Sequence, residues 1–317
     1  MYLTKNKIIM AKIESTKGTD AGCGVSDVIE CRNAKMEQDS TLEKKDTYRA
    51  SISDPGGKIT NIKGKFSFEI DLKGSGSVET RSQFGKLLLG CSMKETAVTS
   101  GGTTTALKYE PTSTQSEMKT LTFYEYTIGE NSAILKKIVG AMGTVSITME
   151  AGKVAKATFN FEGKYLEPID ASIPVVATSD YEQTEPQIVE NSEYEYDNVA
   201  YVCRGVTMNL NNELYSRPDV NSPLGILETI ITSRSWSGTM SPDMVAINTK
   251  NFFAAWKANT KAQLEMKVGA TAGNIIEFVA PAIQLEKVND SDDNGFAYQE
   301  IPFIMTGIND ELQITIK

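Results

Sequence analysis

The 317-residue sequence contains no histidine, which removes the commonest general base and the commonest metal ligand. Its cysteines form no C-x-x-C pair and no dense framework, so free buried thiols in a reducing compartment are expected rather than disulfides or zinc. They are Cys23, Cys31, Cys91 and Cys203. No apolar run approaches the roughly 18 residues that a membrane helix needs. We therefore expect no histidine-based active site, no metal centre and no membrane span.

Export through a signal peptide is also not expected. The basic stretch Met1–Lys12 holds a single apolar run, Ile8–Ala11, which is too short for a signal-peptide core.

The net charge of −9 is concentrated in one short segment. Residues 1–179 carry 23 basic and 21 acidic side chains, and residues 198–317 carry nine basic and 13 acidic ones. Residues 180–197 carry seven acidic side chains and no basic one. An acidic chain without a basic stripe argues against sequence-independent nucleic-acid binding.

The acidic segment marks a predicted boundary between two domains, 1–175 and 198–317, with an acidic linker at 176–197. Like charges at this density favour an extended, solvated chain. Three tyrosines interrupt the charges, Tyr181, Tyr194 and Tyr196. They leave a second interpretation open, in which the segment docks on a neighbouring surface.

Short segments with a period of two dominate both flanking regions. Lys65–Leu72, Val145–Met149 and Lys156–Glu162 each alternate polar and apolar residues. Such strands bury one face and belong to antiparallel sheets with one solvated side. Two short amphipathic helices are predicted as well, over Thr80–Cys91 and Thr249–Asn259.

The two regions resemble each other in the order of their elements. Cys31–Met36 parallels Cys203–Met208, and Ala157–Gly163 parallels Ile301–Gly307. Between these matches, each region has a long connection, at Gln38–Lys63 and at Asn211–Ser233, then a strand and then the helix. Five matches in one order indicate a duplicated domain.

No catalytic constellation is apparent. Gly74–Ser77 lacks the full phosphate-loop pattern and is better explained as a turn. Asp290–Gly295 could be a calcium loop or a hairpin tip. Trp236 and Trp256 could form a ligand platform, but tryptophans in a β-rich domain are more often core anchors. We predict no catalytic residue, no metal site, no cofactor and no enzymatic activity.

At this point the chain resembles the phage tail tube, or major tail, protein family. The similarity lies in Leu3–Ala21, which leads into the strand Val28–Cys31, in the strand Phe66–Leu72, and in the helix Gln83–Cys91 before Gly101-Gly102. It extends to the hairpin Met149–Lys153 followed by Phe159–Gly163. The resemblance covers residues 1–170 by local sequence and reaches 198–317 only through the internal repeat.

The resemblance implies a mainly β fold with two tandem tube-like domains. Each would have two packed antiparallel sheets, one short flanking helix and a long inter-strand loop. The protein would be a virion component, assembled in the host bacterial cytoplasm, whose rings stack into a hollow tube for DNA ejection. A trimer with pseudo-six-fold symmetry is favoured over a hexamer. Further expected partners are the tape measure, the terminator, the baseplate or tip, and genomic DNA that passes through the lumen without specific binding.

Two sets of residues are predicted to serve assembly. The polar members of the alternating strands, Glu69, Asp71, Thr148 and Glu162, are expected to face the lumen. The arm Asp46–Ile62 is expected to reach a neighbouring subunit or ring, with Pro55-Gly56-Gly57 as its turn. Tyr48 and Arg49 lie in the same contact loop.

Other functions remain open on the sequence alone. A tail terminator or a secreted tube protein would be a structural relative. A β-sandwich binding or decoration module of a phage or bacterial surface is the main alternative from another class. An enzyme would need a pair of carboxylates brought together by folding.

Overall fold

The computed structural model describes residues 1–317. Strand accounts for 54% of the residues and helix for 7%, which confirms the predicted mainly β class. None of the helices is long and apolar enough to cross a membrane.

Strands follow one another along the whole chain. Those of residues 1–175 are β1 (Lys7–Ile13), β2 (Val28–Ile29), β3 (Arg32–Lys44), β4 (Gly57–Asp71), β5 (Met93–Ser100), β6 (Thr103–Pro111), β7 (Leu121–Ile128), β8 (Ala133–Glu150) and β9 (Lys156–Ala171). The later ones are β10 (Glu193–Tyr196), β11 (Val199–Ala200), β12 (Cys203–Asn209), β13 (Asn212–Pro218), β14 (Ile226–Arg234), β15 (Ser237–Pro242), β16 (Lys261–Val268), β17 (Ile276–Leu285), β18 (Asn289–Asp293), β19 (Phe296–Met305) and β20 (Gln313–Ile316).

Eight of these strands form one antiparallel run, which we call the long sheet. Its order is β3–β4–β9–β8–β12–β15–β19–β18. The first four strands come from residues 1–175 and the last four from residues 198–317. The sheet therefore crosses the predicted domain boundary without a break in hydrogen bonding.

The apolar face of the long sheet packs on a second layer of strands. In the first half this layer contains β1 and β7, and the ring of Phe66 lies 5.2 Å from that of Phe123 between centroids. In the second half it contains β10 and β16, and the Tyr194 hydroxyl lies 3.1 Å from the Met240 sulfur. The predicted period of two explains the packing, because Phe66, Phe68 and Ile70 are buried while Lys65 is exposed.

Both predicted helices are present but shorter than expected. The first, α1 (Gln83–Leu88), begins after Ser82, whose side chain accepts a hydrogen bond from the Gly85 N–H, and continues as a 3₁₀ turn to Cys91. The second, α2 (Phe252–Lys257), buries Phe252 but leaves Trp256 43% exposed. Trp236, in contrast, is a buried core anchor.

The two long connections are largely strand. Most of Gln38–Lys63 belongs to β3 and β4, and only residues 45–56 form a loop at the tip of that hairpin. Asn211–Ser233 likewise contains β13 and β14, which pair as a separate two-stranded sheet. The outer part of the first hairpin is solvated on both faces, so it lacks the buried period that identifies a strand in sequence. In the second hairpin, β14 buries Ile226, Thr229 and Ile231, whose spacing does not follow a period of two.

The segment 176–197 is fixed to both halves. Val189 N–H donates to the Lys153 carbonyl and Gln187 N–H donates to the Leu72 carbonyl. At its end, β10 pairs with β16 and buries Tyr194 and Tyr196. The sequence left two interpretations of this segment open, a solvated linker or a segment docked on a neighbouring surface. Tyr194 and Tyr196 follow the second interpretation.

Further contacts interlock the halves. Strand β20, at the end of the chain, pairs with β6 of the first half. The Gly74 N–H donates to the Asn274 side chain, and the Gly76 N–H donates to the Gly273 carbonyl. A Cβ atom on Gly74 would overlap the Gly273 carbonyl, so this approach of two backbones requires glycine. The hydrophobic core runs continuously through both halves.

Strand pairings recur in the same pattern in both halves. The pairs β1–β2, β1–β7, β3–β4, β4–β9, β7–β8 and β8–β9 correspond to β10–β11, β10–β16, β12–β15, β15–β19, β16–β17 and β17–β19. Phe161 lies opposite Phe66, and Phe303 lies opposite Gly238. In this register Phe161 corresponds to Phe303, whereas the predicted match of Ala157–Gly163 with Ile301–Gly307 pairs Phe159 with Phe303. The structural match is therefore shifted by two residues.

Candidate functional site

The side of the long sheet that faces away from the core is a largely polar surface, which we call the polar face. It is interrupted at Met142, which lies opposite Glu162 and is buried against Ile231 of β14. It arises from the period of two, since each strand that buries alternate apolar residues must present the others on the opposite side. Most side chains on it are short hydroxyls and amides. Its members include Ser67, Glu69, Asp71, Thr144, Ser146, Thr148, Thr158, Asn160, Glu162, Thr207, Asn209, Ser237 and Thr239.

The four residues predicted to face a lumen all lie on the polar face. Asp71 and Thr148 flank Lys156, as its partners on β4 and β8. Glu69 lies opposite Thr158, and Glu162 lies opposite Lys65. The structure thus brings the four residues onto one surface, and their exposure to a bore stays a prediction.

The second half supplies polar-face residues that the sequence reasoning missed. Thr207 lies opposite Thr148 on one side and Thr239 on the other, so the surface continues across the joint between β8 and β12. The alternation Val206-Thr207-Met208 could have indicated this strand. It is short, however, and it follows a bulge between Cys203 and Val206.

Acidic and basic side chains nearly balance on the polar face. Arg32 pairs with Asp71, and Lys63 lies 2.8 Å from Glu162. Lys65 lies 2.9 Å from Asp39, and this hydrogen bond lowers the pKa of the Asp39 carboxyl and raises the pKa of Lys65. Glu69 and Lys156 each make no ion pair, and their opposite charges leave this balance unchanged.

The polar face can bind water, but it has few groups that would bind nucleic acid. It lacks the basic groove and the stacked aromatic rings with which proteins hold single-stranded nucleic acid. Its hydroxyls can hydrogen-bond to water, and its ion pairs leave little free positive charge to attract phosphate.

The predicted contact loop projects from the tip of the β3–β4 hairpin. The side chains of Tyr48 and Ile52 are fully exposed. Arg49 lies beside them, also exposed. Nothing in the chain covers these large apolar side chains, and their contact with a neighbouring subunit stays a prediction.

The glycines predicted to form the turn lie where the loop rejoins β4, not at its tip. Gly56, after Pro55, has φ +79° and donates its N–H to the Asp54 carboxylate, which closes the loop onto β4. Gly57 is the first residue of β4, where a Cβ atom would overlap the Glu43 carbonyl.

Buried ionisable groups elsewhere have structural partners. The Glu14 carboxylate accepts hydrogen bonds from Gly18, Thr120, Thr122 and Gly140. Burial raises the pKa of Cys23 and Cys31 to about 12, so their thiols are poor nucleophiles.

No group of three or more histidine, cysteine, aspartate or glutamate side chains is placed to hold a metal ion. Of the two interpretations of Asp290–Gly295, the hairpin tip is observed, with Asn294 and Gly295 as a two-residue turn between β18 and β19.

Comparison with known proteins gives one finding. A family model described as "Phage tail tube protein" matches residues 4–305, which is nearly the whole chain and includes both halves. A search of curated proteins gave no match.

Proposed function

The chain belongs to the phage tail tube protein family, and we propose from this premise that its copies close into rings that stack into the tube through which DNA is ejected. As a member, it is a structural component of the viral tail. The observation that carries the proposal is the long sheet, which crosses both halves with one apolar, covered face and one polar face. A sheet of this kind can join its copies edge to edge and enclose a wet bore.

The two halves are proposed to be copies of one tube domain, 1–175 and 198–317, joined by the segment 176–197. Six corresponding strand pairings support this duplication. Because each chain supplies two units, three chains make a ring with pseudo-six-fold symmetry, and we favour this trimer over a hexamer.

The polar face is proposed to line the bore, with Glu69, Asp71, Thr148 and Glu162 exposed to it. Short hydroxyls and balanced charges give passing DNA no cluster of cations to hold. The apolar face cannot take this position, because it is already buried by the second layer of strands.

The tip of the β3–β4 hairpin is proposed to contact a neighbouring subunit or ring. Tyr48, Arg49 and Ile52 supply uncovered contact surface there. At the two ends of the tube, the same ring surfaces would meet the terminator on one side and the baseplate or tip on the other, with the tape measure inside during assembly. The ring would assemble in the host bacterial cytoplasm and remain in the virion.

The proposal is tested by the solution mass and by negative-stain electron microscopy of the purified chain over a range of concentrations. We expect rings with a central hole, a mass of three chains and stacking at high concentration. A chain that stays monomeric at every concentration, and that also fails to extend tubes seeded from purified tails, would contradict tube formation and favour a decoration module.

A further inference from the structure

Each end of the long sheet is an open edge. Strand β3 pairs only with β4, and β18 pairs only with β19. The outward backbone N–H and C=O groups of such strands can bond to a strand of another molecule.

The joint between the halves shows how two such edges meet. There β8 pairs with β12, with Met149 opposite Val206 and Ile147 opposite Met208. The Ala151 N–H donates to the Arg204 carbonyl, and the Leu210 N–H donates to the Val145 carbonyl. By alternation along an antiparallel ladder, Val206 and Met208 also direct their backbone groups at β8.

Strand β3 is the counterpart of β12. Met36 lies opposite Phe66 as Met208 lies opposite Gly238, and each strand has one extra residue shortly before this point, between Arg32 and Lys35 in β3 and between Cys203 and Val206 in β12. Ala34 therefore corresponds to Val206. The Lys7 ammonium donates to the Ala34 carbonyl at 3.4 Å, so this carbonyl points away from β4 toward the open edge.

Strand β18 is the counterpart of the end of β8. Asp290 lies opposite Gln299 on β19 as Ile147 lies opposite Ala157 on β9, so Asp292 corresponds to Met149. The two-residue Asn294-Gly295 turn makes Asp293 and Phe296 the hydrogen-bonded pair that closes the hairpin. By alternation, Asp290 and Asp292 direct their backbone groups at the open edge.

We infer that β18 of one copy pairs antiparallel with β3 of the next, with Ala34 opposite Asp292 and Met36 opposite Asp290. This inference rests on the proposed ring and names its subunit joint. The joint would repeat the β8–β12 joint, so every repeat in the ring would meet its neighbours in the same way.

Charged residues lie at both edges, where the internal joint carries apolar ones. The β18 edge carries Asp290, Asp292 and Asp293, of which Asp293 is paired with Arg204 of its own chain. The β3 edge carries Lys7, Arg32 and Lys35. These cations also have acidic partners in the chain, Glu125, Asp71 and Glu37 respectively. The corresponding pair in the internal joint, Met149 and Val206, is apolar and buried. Charged residues at the two open edges, in place of the apolar residues of the internal joint, would keep these edges soluble before assembly.

A designed disulfide tests the register. Lys35 of one copy would lie opposite Ser291 of the next as a non-hydrogen-bonded pair, with Cα atoms about 4.5 Å apart, which a disulfide can span. The double variant Lys35→Cys/Ser291→Cys is oxidised and resolved on a non-reducing gel, with electron microscopy of the same sample. The double variant Lys35→Cys/Asn289→Cys, shifted by two residues, is the matched control. The single variants report linkage through the native cysteines.

We expect covalent products of two and three chains, with the three-chain species as the end point, from the first variant only. Rings without this linkage, or equal linkage in the shifted control, would overturn the inferred joint and leave the proposed tube intact. Absence of rings in the unmodified protein would overturn the tube and the joint together. If the double variant does not fold, mixing the two single variants should give a two-chain product, and its absence in samples that form rings would also overturn the joint.

Discussion

Asn212 connects the two halves through a buried amide. Its Nδ2 donates to the carbonyls of Cys91 and Gly143, both at 3.0 Å, and its Oδ1 accepts from the Trp236 indole N–H at 3.0 Å. The residue is 7% exposed, so water cannot replace these bonds without opening the joint. One side chain thus satisfies two groups of the first half and one of the second.

We predict that Asn212→Ala lowers the free energy of unfolding by about 2–5 kcal/mol, because it leaves a buried donor and two buried acceptors without partners. Urea denaturation of the isolated chain measures this loss. Asn221→Ala, at an exposed position in the turn before β14, is the matched control and should change stability by less than about 0.5 kcal/mol. An equal effect of the two substitutions would show that the amide does not connect the halves.

Glu182 is a second residue with an unusual environment. Burial raises its pKa to about 7 from the ordinary 4.5, against the opposing hydrogen bond from the Gln83 N–H and the charges of Lys73 and Lys86. The folded chain therefore binds a proton at this carboxyl more tightly than the unfolded chain does. The associated stability is fully present below pH 4.5 and is lost as the pH rises through 7.

We predict that raising the pH from 5 to 8 costs the wild type on the order of 2 kcal/mol at this site. Glu182→Gln should remove that part of the pH dependence and be the more stable protein at pH 8. Urea midpoints at both pH values measure it, and Glu43→Gln, at an exposed position, serves as the control. Parallel pH profiles for wild type and Glu182→Gln would contradict the assignment.

At the scale of elements, the β3–β4 hairpin has two parts with separate tasks. Its inner part buries Met36, Phe66 and Phe68 in the core. Its outer part, with the loop 45–56, is solvated and contributes no core residue. Folding and assembly can therefore be tested separately along one element.

We predict that Tyr48→Ala/Ile52→Ala leaves the fold and melting temperature unchanged but prevents normal tube growth. Both side chains are fully exposed in the chain, so their truncation removes no contact within the fold and can affect only contacts with another molecule. Tube length by electron microscopy and melting by circular dichroism are the two measurements. Val175→Ala/Ile308→Ala is the control, since these apolar residues are about equally exposed outside the arm. Normal tubes from the arm variant would refute its role.

The elements that the sequence predicted well are those with one buried face. Phe66–Ile70 and Ala157–Phe161 alternate because the core selects every second side chain. Strands β13 and β18 escaped prediction because they are solvated and carry turn-forming or acidic residues, which are typical of loops. The same limit applies to the polar face: Glu69 and Thr148 could be found from alternation, whereas Thr207 and Thr239 lie on short strands beside bulges or turns.

At the scale of the whole molecule, the two halves behave as one body. The long sheet, the β6–β20 pair and the segment 176–197 each cross the boundary, so a ring built from this chain has two kinds of joint. In the proposed ring, one joint lies within each chain and is apolar, and the other, inferred between copies, would be charged. A chain with two tube units would thereby fix half of the joints of its ring before assembly begins.

In the proposed tube, a weak interaction of the bore with DNA would be a property of the whole assembly. Each ring would repeat the charge of the polar face, so a small change per chain would be multiplied along the tube. We predict that Glu69→Lys/Thr148→Lys produces tubes that retain double-stranded DNA at low salt, whereas wild-type tubes do not. The physical reason is that added cations release counterions from phosphate, so retention should fall steeply as salt rises.

Co-sedimentation of short DNA duplexes with preformed tubes, at 50 and 200 mM salt, measures this retention. Val175→Lys/Val199→Lys/Val202→Lys adds the same three units of charge at exposed positions outside the long sheet and serves as the control. DNA held by the polar-face variant but not by the control places that face at the bore. Equal retention by both variants would mean that the tube attracts DNA wherever the charge is added, and would remove the polar face from the lumen.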